Sequence, residues 1–382
     1  MVAILIGSVL LAVGAWLGAE QGWRMAALWG LGAGLGVALL HAGFGFTAAF
    51  RRLLAEGRGA GLRAQMVLLG LTCLVFLPAI EAGALFGQPV RGFVFPTGLA
   101  LLLGAFLFGV GMQLGGGCGS GTLYALGGGT AGRTRMMTTL VAFVAGATLA
   151  AWAAASWEGW PGLGAVSLPQ MLGFWPALAG SLGIFALVFL ASGVWERHRH
   201  GAVERLHWRG GHWLRGPWPL LWGAVALAVL NAATLIVAGR PWAITAAFPL
   251  WGSQAVAALG WDEPAFWTFW DEPIRAEALF RRLDRDRVTV MDVGLMAGAA
   301  LAAALAGREA PWRLPRVGEF AASLLGGMLL GIGAVLASGC NISAYVGGIA
   351  SGSLHGWVWI VPALLGNALG LRLRPVFGLA DR

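Results

Sequence analysis

The chain has 382 residues, of which 58% are hydrophobic and only 11% are charged, and its mean hydropathy is +0.76. Soluble domains carry about 25% charged residues, so this composition excludes a water-exposed globular body. The net charge of +8 comes from 25 basic residues, all arginine, in short loops between apolar runs. That distribution is typical of the loops of a membrane protein and not of a nucleic-acid-binding protein.

Apolar stretches long enough to cross a bilayer as helices recur along the whole chain. Ten spans are predicted, at residues 2–18, 25–41, 64–86, 95–116, 136–157, 170–194, 217–238, 289–307, 318–338 and 354–371. No basic segment precedes the first span, so we expect a membrane helix there and not a cleaved signal peptide. The unbroken apolar runs predict an all-α polytopic membrane protein and exclude a β-barrel, whose strands alternate in polarity.

The arginines indicate how the chain is oriented. With ten spans, the side that holds both termini carries seventeen arginines and the opposite side carries eight. Cytoplasmic loops are enriched in basic residues. We therefore expect both termini to face the cytoplasm.

Two phrases recur in the same order. Residues 104–118 align without a gap on residues 326–340, which superposes Cys118 on Cys340, and FTAAF at 46–50 returns as ITAAF at 244–248. Chance matches in a glycine-rich chain are the alternative explanation. We predict one membrane domain built from two five-helix repeats, 1–157 and 158–382. An odd number of spans per repeat would make the second copy inverted, as in many secondary transporters.

Four segments between the spans are apolar, rich in small residues and too short to cross. They lie near 41–54, 115–130, 239–260 and 337–353. We predict re-entrant loops or half-helices, because non-helical backbone is tolerated at membrane depth only where protein buries it or it lines a cavity. A half-helix starting after Cys118 or Cys340 would present a positive helix N-terminus to an anion.

These segments supply the candidate pathway residues. They are Cys118, Cys340, Gly117, Gly119, Gly339, Asn341, Thr47 and Thr245. The two threonine hydroxyls could bond a substrate or their own helix backbone. For Cys73, within LLGLTCLVFL, we expect a small buried apolar side chain. We expect no catalytic residue, metal site or cofactor.

Several other features are weaker indications. The segment 195–213 carries four of the six histidines without metal-ligand spacing, so we interpret it as a basic loop at a lipid surface. WDEPAFWTFWDEP (261–273) is predicted to lie at the outer interface. Glu81 is either an intramembrane acid or the end of the third span. Arginines that border the re-entrant segments could attract an anion or be ordinary loop residues; they are Arg51, Arg91 and Arg240.

The phrases GGGCGSGTLY, LASGCNIS, GFTAAF and RPWAITAAFPLWG resemble the YeeE/YedE family of bacterial sulfur-transport membrane proteins, over essentially the whole chain. The resemblance implies thiosulfate uptake through the inner membrane along a path lined by cysteine thiols, at positions matched by Cys118 and Cys340. It also implies a small cytoplasmic TusA-like sulfur carrier as a partner. Family members often have a further cysteine in the first re-entrant phrase, where this chain has Gly45.

We hypothesise that Cys118 and Cys340 act as neutral S–H donors, because a thiol near its ordinary pKa of about 8.5 is mostly protonated at pH 7. Two alternatives remain open at this stage. One is a transporter or channel for another small sulfur or selenium compound. The other is a membrane thiol-redox enzyme that forms a Cys118–Cys340 disulfide during turnover.

Overall fold

The computed structural model describes residues 1–130, 132–208, 211–308 and 313–379. The helices, in chain order, are α1 (Val2–Gln21), α2 (Trp23–Ala42), α3 (Phe46–Arg51), α4 (Ala60–Glu81), α5 (Leu99–Gly115), α6 (Gly119–Gly128), α7 (Arg133–Trp152), α8 (Leu168–Leu172), α9 (Phe174–His200), α10 (Leu220–Ala238), α11 (Ala247–Ala258), α12 (Pro273–Leu279), α13 (Arg287–Leu305), α14 (Val317–Leu336), α15 (Gly348–Ala350) and α16 (Leu354–Leu373). Four short strands form two small antiparallel pairs, β1 (Ala84–Leu85) with β2 (Gln88–Pro89) and β3 (Pro96–Gly98) with β4 (Gly162–Ala165).

Ten of these helices are long and apolar enough to cross a membrane, within the described residues. The ten segments contain α1, α2, α4, α5, α7, α9, α10, α13, α14 and α16, and those of α2, α5 and α14 run on through the short helices that follow, as Trp23–Glu56, Leu99–Gly128 and Val317–Ala350. Each corresponds to one predicted span, so the prediction of an all-α polytopic membrane protein is confirmed. The ends differ by a few residues, most clearly at α9, which continues to His200 where the sequence predicted an end at 194.

Short helices interrupt the long ones at the four predicted segments. The chain has α3 and a π-helical turn (Arg52–Glu56) after α2, α6 after α5, a 3₁₀ turn (Ile244–Ala246) and α11 after α10, and a π-helical segment (Asn341–Gly347) and α15 after α14. A helix rises about 1.5 Å per residue, so the ten residues of α6 cover about half of a bilayer core. The re-entrant course of these segments stays our interpretation.

Glycines bring the long helices into backbone contact. A Cβ on Gly109 would lie 2.1 Å from the Ala363 carbonyl of α16, and a Cβ on Gly331 would lie 2.3 Å from the Phe143 carbonyl of α7. Helices in membranes pack closely where small residues let their backbones approach. Glycine is therefore required at these positions by helix packing.

The two matched sets of glycines make matched contacts. Gly109 and Gly331 are equivalent in the proposed repeat, and the packing of α5 on α16 corresponds to that of α14 on α7. The pairing of α2 with α13 likewise corresponds to that of α4 with α10. These contacts support the interpretation of two repeats, which remains a proposal.

The structure bears on two expectations about the loops, one for Glu81 and one for the aromatic segment 261–273. Glu81 is the last residue of α4 and is exposed. It therefore lies at the end of the span and is not an intramembrane acid. In the aromatic segment 261–273, Trp261 and Phe266 are exposed, whereas Trp267 and Trp270 are buried against α7 and α11. That segment is therefore partly packed into the protein, because two of its tryptophans find an apolar cluster.

Candidate functional site

Three of the short segments meet beside the two cysteines. The N-terminal part of α6, the turn Ile244–Ala246 and the segment Asn341–Gly347 all contact one another. Gly116 ends α5 in the left-handed conformation at φ 85°, and Gly339 at φ 142° precedes the second cysteine. These backbone angles favour glycine. They turn the chain sharply, so that a new helix starts directly after each cysteine.

Cys118 is the N-cap residue of α6 and is 1% exposed. Its Sγ accepts the backbone N–H of Gly121 at 3.4 Å and lies 3.5 Å from the Ser120 hydroxyl oxygen. The sulfur therefore accepts a hydrogen bond from one of the helix N–H groups that we expected to be free for an anion. Sγ is the acceptor from Gly121, whereas in the contact with Ser120 either the thiol or the hydroxyl could be the donor.

Cys340 has a similar arrangement at the start of Asn341–Gly347 and is fully buried. Its backbone N–H donates to the Ser343 hydroxyl oxygen at 3.0 Å, and that hydroxyl donates to Sγ of Cys340 at 3.7 Å. Each cysteine thus has a serine within its own first helical turn. Each sulfur accepts a hydrogen bond from its own first helical turn.

Gly119 separates the two cysteines. A Cβ built on Gly119 would lie 3.1 Å from Sγ of Cys340 and 3.0 Å from Cγ2 of Thr245. Gly119 directly follows Cys118 in the chain, so the structure brings Cys118, Cys340 and Thr245 to one place. Gly117 packs against α6 and not against the second cysteine: a Cβ built on it would lie 2.8 Å from the backbone nitrogen of Thr122.

Two predicted residues carry buried polar atoms without a partner among the described residues. The side-chain oxygen and nitrogen of Asn341 are both buried and unbonded, and so is the Thr47 hydroxyl. A buried polar group without a partner costs about 1–3 kcal/mol. Asn341 adjoins Cys340 in the chain, whereas Thr47 contacts α5 through its carbonyl oxygen, which accepts Nε2 of Gln113 at 3.2 Å.

Gly45, where related proteins often have a further cysteine, lies against Tyr124. A Cβ on Gly45 would be 3.1 Å from the Tyr124 hydroxyl oxygen, which is tighter than ordinary contact. Tyr124 is on α6, two turns after Cys118. A hydroxyl from the first cysteine phrase therefore occupies the space beside the position of the missing thiol.

An aromatic row connects the two TAAF phrases through the core. Phe46 of the first phrase meets Tyr345 edge to face, and Tyr345 stacks on Trp359 with ring centroids 6.1 Å apart. The row continues through Phe108 and Phe143 to Phe248 of the second phrase. This rigid packing holds the short segments around the cysteines.

Three buried polar side chains within the predicted spans were not anticipated from the sequence. Gln113 of α5 donates to Asn367 of α16 at 2.7 Å, and both side chains are fully buried. Asp292 of α13 is also fully buried; its Oδ1 accepts the Trp242 indole N–H at 3.2 Å and its Oδ2 has no partner among the described residues. A polar residue inside an apolar span was the available signal, because such residues are costly in a membrane.

The basic segment near 195–213 is anchored to the protein, within its described part. Glu196 is fully buried and pairs with Arg63 of α4 at 2.7 Å. Its carboxylate also accepts the backbone N–H groups of Gly59 and Glu204 at 3.3 and 3.2 Å. The single acid in the run WERHRH thus fixes the end of α9 to the start of α4.

Cys73 behaves as an ordinary buried side chain. It is fully buried in α4, and its Sγ lies 3.9 Å from the carbonyl oxygen of Ile349 on α15. It has neither a glycine turn nor a helix start beside it. The three cysteines are all free thiols.

Comparison with known proteins gives one matching family and several relatives. The sequence model of the family described as "Sulphur transport" matches residues 41–369. The protein named thiosulfate transporter TsuA of Spirochaeta thermophila is 27% identical over 347 residues, which cover 87% of this chain and 93% of that protein.

The proteins named probable transporter YedE are similar over a shorter stretch. That of Escherichia coli K12 is 28% identical over 186 residues, 48% of this chain. That of Salmonella typhimurium LT2 is 30% identical over 168 residues, 43% of this chain. The matches span 42% and 40% of the length of these two relatives. Since the family model covers most of the chain, this protein is a member of the sulphur transport family.

Proposed function

We propose that the protein takes up thiosulfate, or a closely related sulfur-containing anion, through the bacterial inner membrane, and that the anion passes between Cys118 and Cys340. The observation that carries the proposal is the close approach at Gly119, where a Cβ would lie 3.1 Å from Sγ of Cys340 and 3.0 Å from Cγ2 of Thr245, so that both cysteines and this threonine meet at one place. The relative named a thiosulfate transporter covers most of the chain and supports the choice of cargo.

The chemistry of this place suits a soft divalent anion. Each sulfur accepts a hydrogen bond from its own helical turn, and a thiol that accepts in this way can still turn its S–H proton toward an anion. Neutral thiols donate weakly to an anionic sulfur, whereas thiolates would repel it. Two helix N-termini add partial positive charge without a full cation that would hold the anion tightly.

Asn341 completes the donor set. Its amide nitrogen is a buried donor without a partner, and an anion oxygen beside Cys340 would satisfy it. Sulfate offers oxygens to such a donor but no terminal sulfur for the thiols. We therefore expect the thiols to discriminate between thiosulfate and sulfate, and Asn341 to contribute to the affinity for both.

The test is uptake of radiolabelled thiosulfate into proteoliposomes by wild type, Cys118→Ser and Cys340→Ser. Each serine variant should lose about tenfold or more in rate, equivalent to about 1.4 kcal/mol. Cys73→Ser, which changes a thiol outside the site, is the matched control and should transport normally. Wild-type rates in both site variants would refute the proposed path.

Competition with unlabelled anions defines the cargo. Excess unlabelled thiosulfate should abolish the signal, and excess sulfate should reduce it less. Inhibition by selenite or sulfite at lower concentration than thiosulfate would instead favour a related sulfur or selenium compound as the natural cargo. The orientation with cytoplasmic termini and the TusA-like carrier remain expectations, which protease accessibility and co-purification respectively would test.

A further inference from the structure

Asp292 is an acidic side chain inside a membrane helix, and the proposed thiol path does not use it. It lies in α13, five residues after that helix begins at Arg287, and it is fully buried. Within the described residues it takes part in no ion pair. Its Oδ1 accepts the indole N–H of Trp242 at 3.2 Å, and its Oδ2 is buried without a partner there.

The elements that pack on α13 offer this carboxyl group no counter-charge. α2 has no titratable residue between Arg24 and His41, which stand at its two ends, and α1 has only Glu20, near its outer end. α6 carries Tyr124, whose hydroxyl is not a cation. Arg240, in the loop that follows α10, forms no ion pair with it in the described part of the chain.

The charges on α13 itself and in the turn before it do not neutralise Asp292 either. Asp286 is negative and caps the helix, and Arg287 is exposed. In the preceding turn, Asp284 is engaged in a surface ion pair and Arg285 is exposed. An isolated carboxylate in an apolar interior is far costlier than a protonated carboxyl group. We therefore expect Asp292 to hold a proton.

Trp242 connects Asp292 to the thiol site. Trp242 is 2% exposed and lies three residues before Thr245, so their Cα atoms are at most about 11 Å apart. The turn that carries Thr245 packs on α13, and so does α6, which starts after Cys118. In an apolar interior a negative charge at Asp292 would repel an anion at the thiols.

The charge of the cargo gives a reason to bind a proton. A dianion that enters an inside-negative cell moves against the membrane potential, and the electrical work is proportional to the charge moved. A proton that travels with the anion removes half of that charge. Two sites that interact favour each other's ligands by the same factor, so an anion at the thiols favours a proton on Asp292 and the proton favours the anion.

We propose that Asp292 is the proton-binding site of a proton-coupled anion transporter. One proton enters from the outer side, binds Oδ2 of Asp292 while the anion is at the thiols, and leaves on the inner side with the anion. No bond of the cargo breaks and no electron is transferred. Trp242 is a positioning residue, because its indole N–H holds Oδ1 and leaves Oδ2 for the proton. The identity of the cargo rests on the proposed function.

Accumulation of radiolabelled thiosulfate in proteoliposomes tests the coupling. Valinomycin with equal potassium on both sides holds the membrane potential at zero, and the outside is made more acidic by about one pH unit. The wild type should accumulate thiosulfate about tenfold, which is the ratio that one coupled proton supplies for each pH unit. Asp292→Asn, which keeps an acceptor for Trp242, should reach only equal concentrations but should still exchange labelled for unlabelled thiosulfate.

Two further variants complete the transport test. Asp292→Glu keeps a titratable group and should recover part of the accumulation. Asp271→Asn removes an exposed carboxyl group from the outer segment and should accumulate thiosulfate normally. Wild-type accumulation by Asp292→Asn would overturn the proton site, as would a wild type that transports thiosulfate without accumulating it. A wild type that transports no thiosulfate would instead overturn the proposed function.

Infrared spectroscopy of the purified protein tests the proton site apart from transport. The C=O stretching band of a protonated carboxyl group is distinct from the bands of carboxylates and amides. At neutral pH that band should be present in the wild type and in Asp271→Asn and be lost in Asp292→Asn. A wild type without the band, or an unchanged band in Asp292→Asn, would overturn the proton site whether or not thiosulfate is transported.

Discussion

Gly119→Ala tests whether the anion passes where the two cysteines approach each other. The added methyl carbon would lie 3.1 Å from Sγ of Cys340 and 3.0 Å from Cγ2 of Thr245, so both neighbours must yield by a few tenths of an ångström. Overpacking of this kind costs about 1–3 kcal/mol, whereas alanine in place of glycine within a helix gains up to about 1 kcal/mol. The net loss of stability is therefore about 0–2 kcal/mol.

Transport should suffer more than folding does. The methyl group would press on Sγ of Cys340 and on Thr245 where the two cysteines approach each other, so we expect thiosulfate uptake to fall about tenfold or more, equivalent to about 1.4 kcal/mol on the barrier. The assay is proteoliposome uptake, with thermal unfolding in detergent measured on the same preparation. Gly180→Ala, where a Cβ meets no atom within 4 Å, is the matched control. A fully folded Gly119→Ala protein with wild-type uptake would refute the path.

The remaining predictions concern stability and the missing thiol. Glu196→Gln breaks the buried pair with Arg63 and should lower the free energy of unfolding by about 3–5 kcal/mol. The control Glu56→Gln, at an exposed i,i+4 pair, should lower it by less than about 1 kcal/mol. Equal shifts of the thermal unfolding midpoint in the two variants would contradict this prediction. Gly45→Cys should be destabilised by contact with the Tyr124 hydroxyl and relieved by adding Tyr124→Phe. Additive stability changes in that double variant would show that the two positions do not interact.

The membrane helices were predictable because their signal is local. Apolar runs of the required length occur in the sequence itself, and each predicted span is matched by a helix in the structure. Helix ends were less certain, as α9 shows, because the end depends on a partner elsewhere in the chain. Glu196 extends that helix into a buried ion pair with Arg63, and nothing near residue 196 in the sequence indicates it.

Only those residues of the candidate site that lie in the repeated phrases were predictable from the sequence. Matching phrases indicated Cys118 and Cys340, but the sequence could not show that Gly119 lies at Sγ of Cys340, because that contact joins residues more than two hundred positions apart. Asp292 is a polar residue in an apolar span and could have been noticed. Its partner Trp242, and hence its effect on the loop before Thr245, required the structure.

The glycines of the repeated phrases have two separate roles. Gly109 and Gly331 allow helix backbones to touch, as their contacts with Ala363 and Phe143 show. Gly119 instead allows the side chains of Cys340 and Thr245 to approach the turn that follows Cys118. The sequence pattern alone does not separate these roles, because a glycine in the sequence does not show whether a helix backbone or a side chain lies against it.

Protection of the thiols from chemical labelling tests the central claim most directly. A small methanethiosulfonate reagent is applied to the purified wild-type protein with thiosulfate, with sulfate or with neither, and the modified cysteines are identified by mass spectrometry. The account predicts that thiosulfate slows labelling of Cys118 and Cys340 and protects them more than sulfate does, with Cys73 unaffected. Labelling of both site cysteines at the same rate with and without saturating thiosulfate, in protein that transports it, would contradict the account.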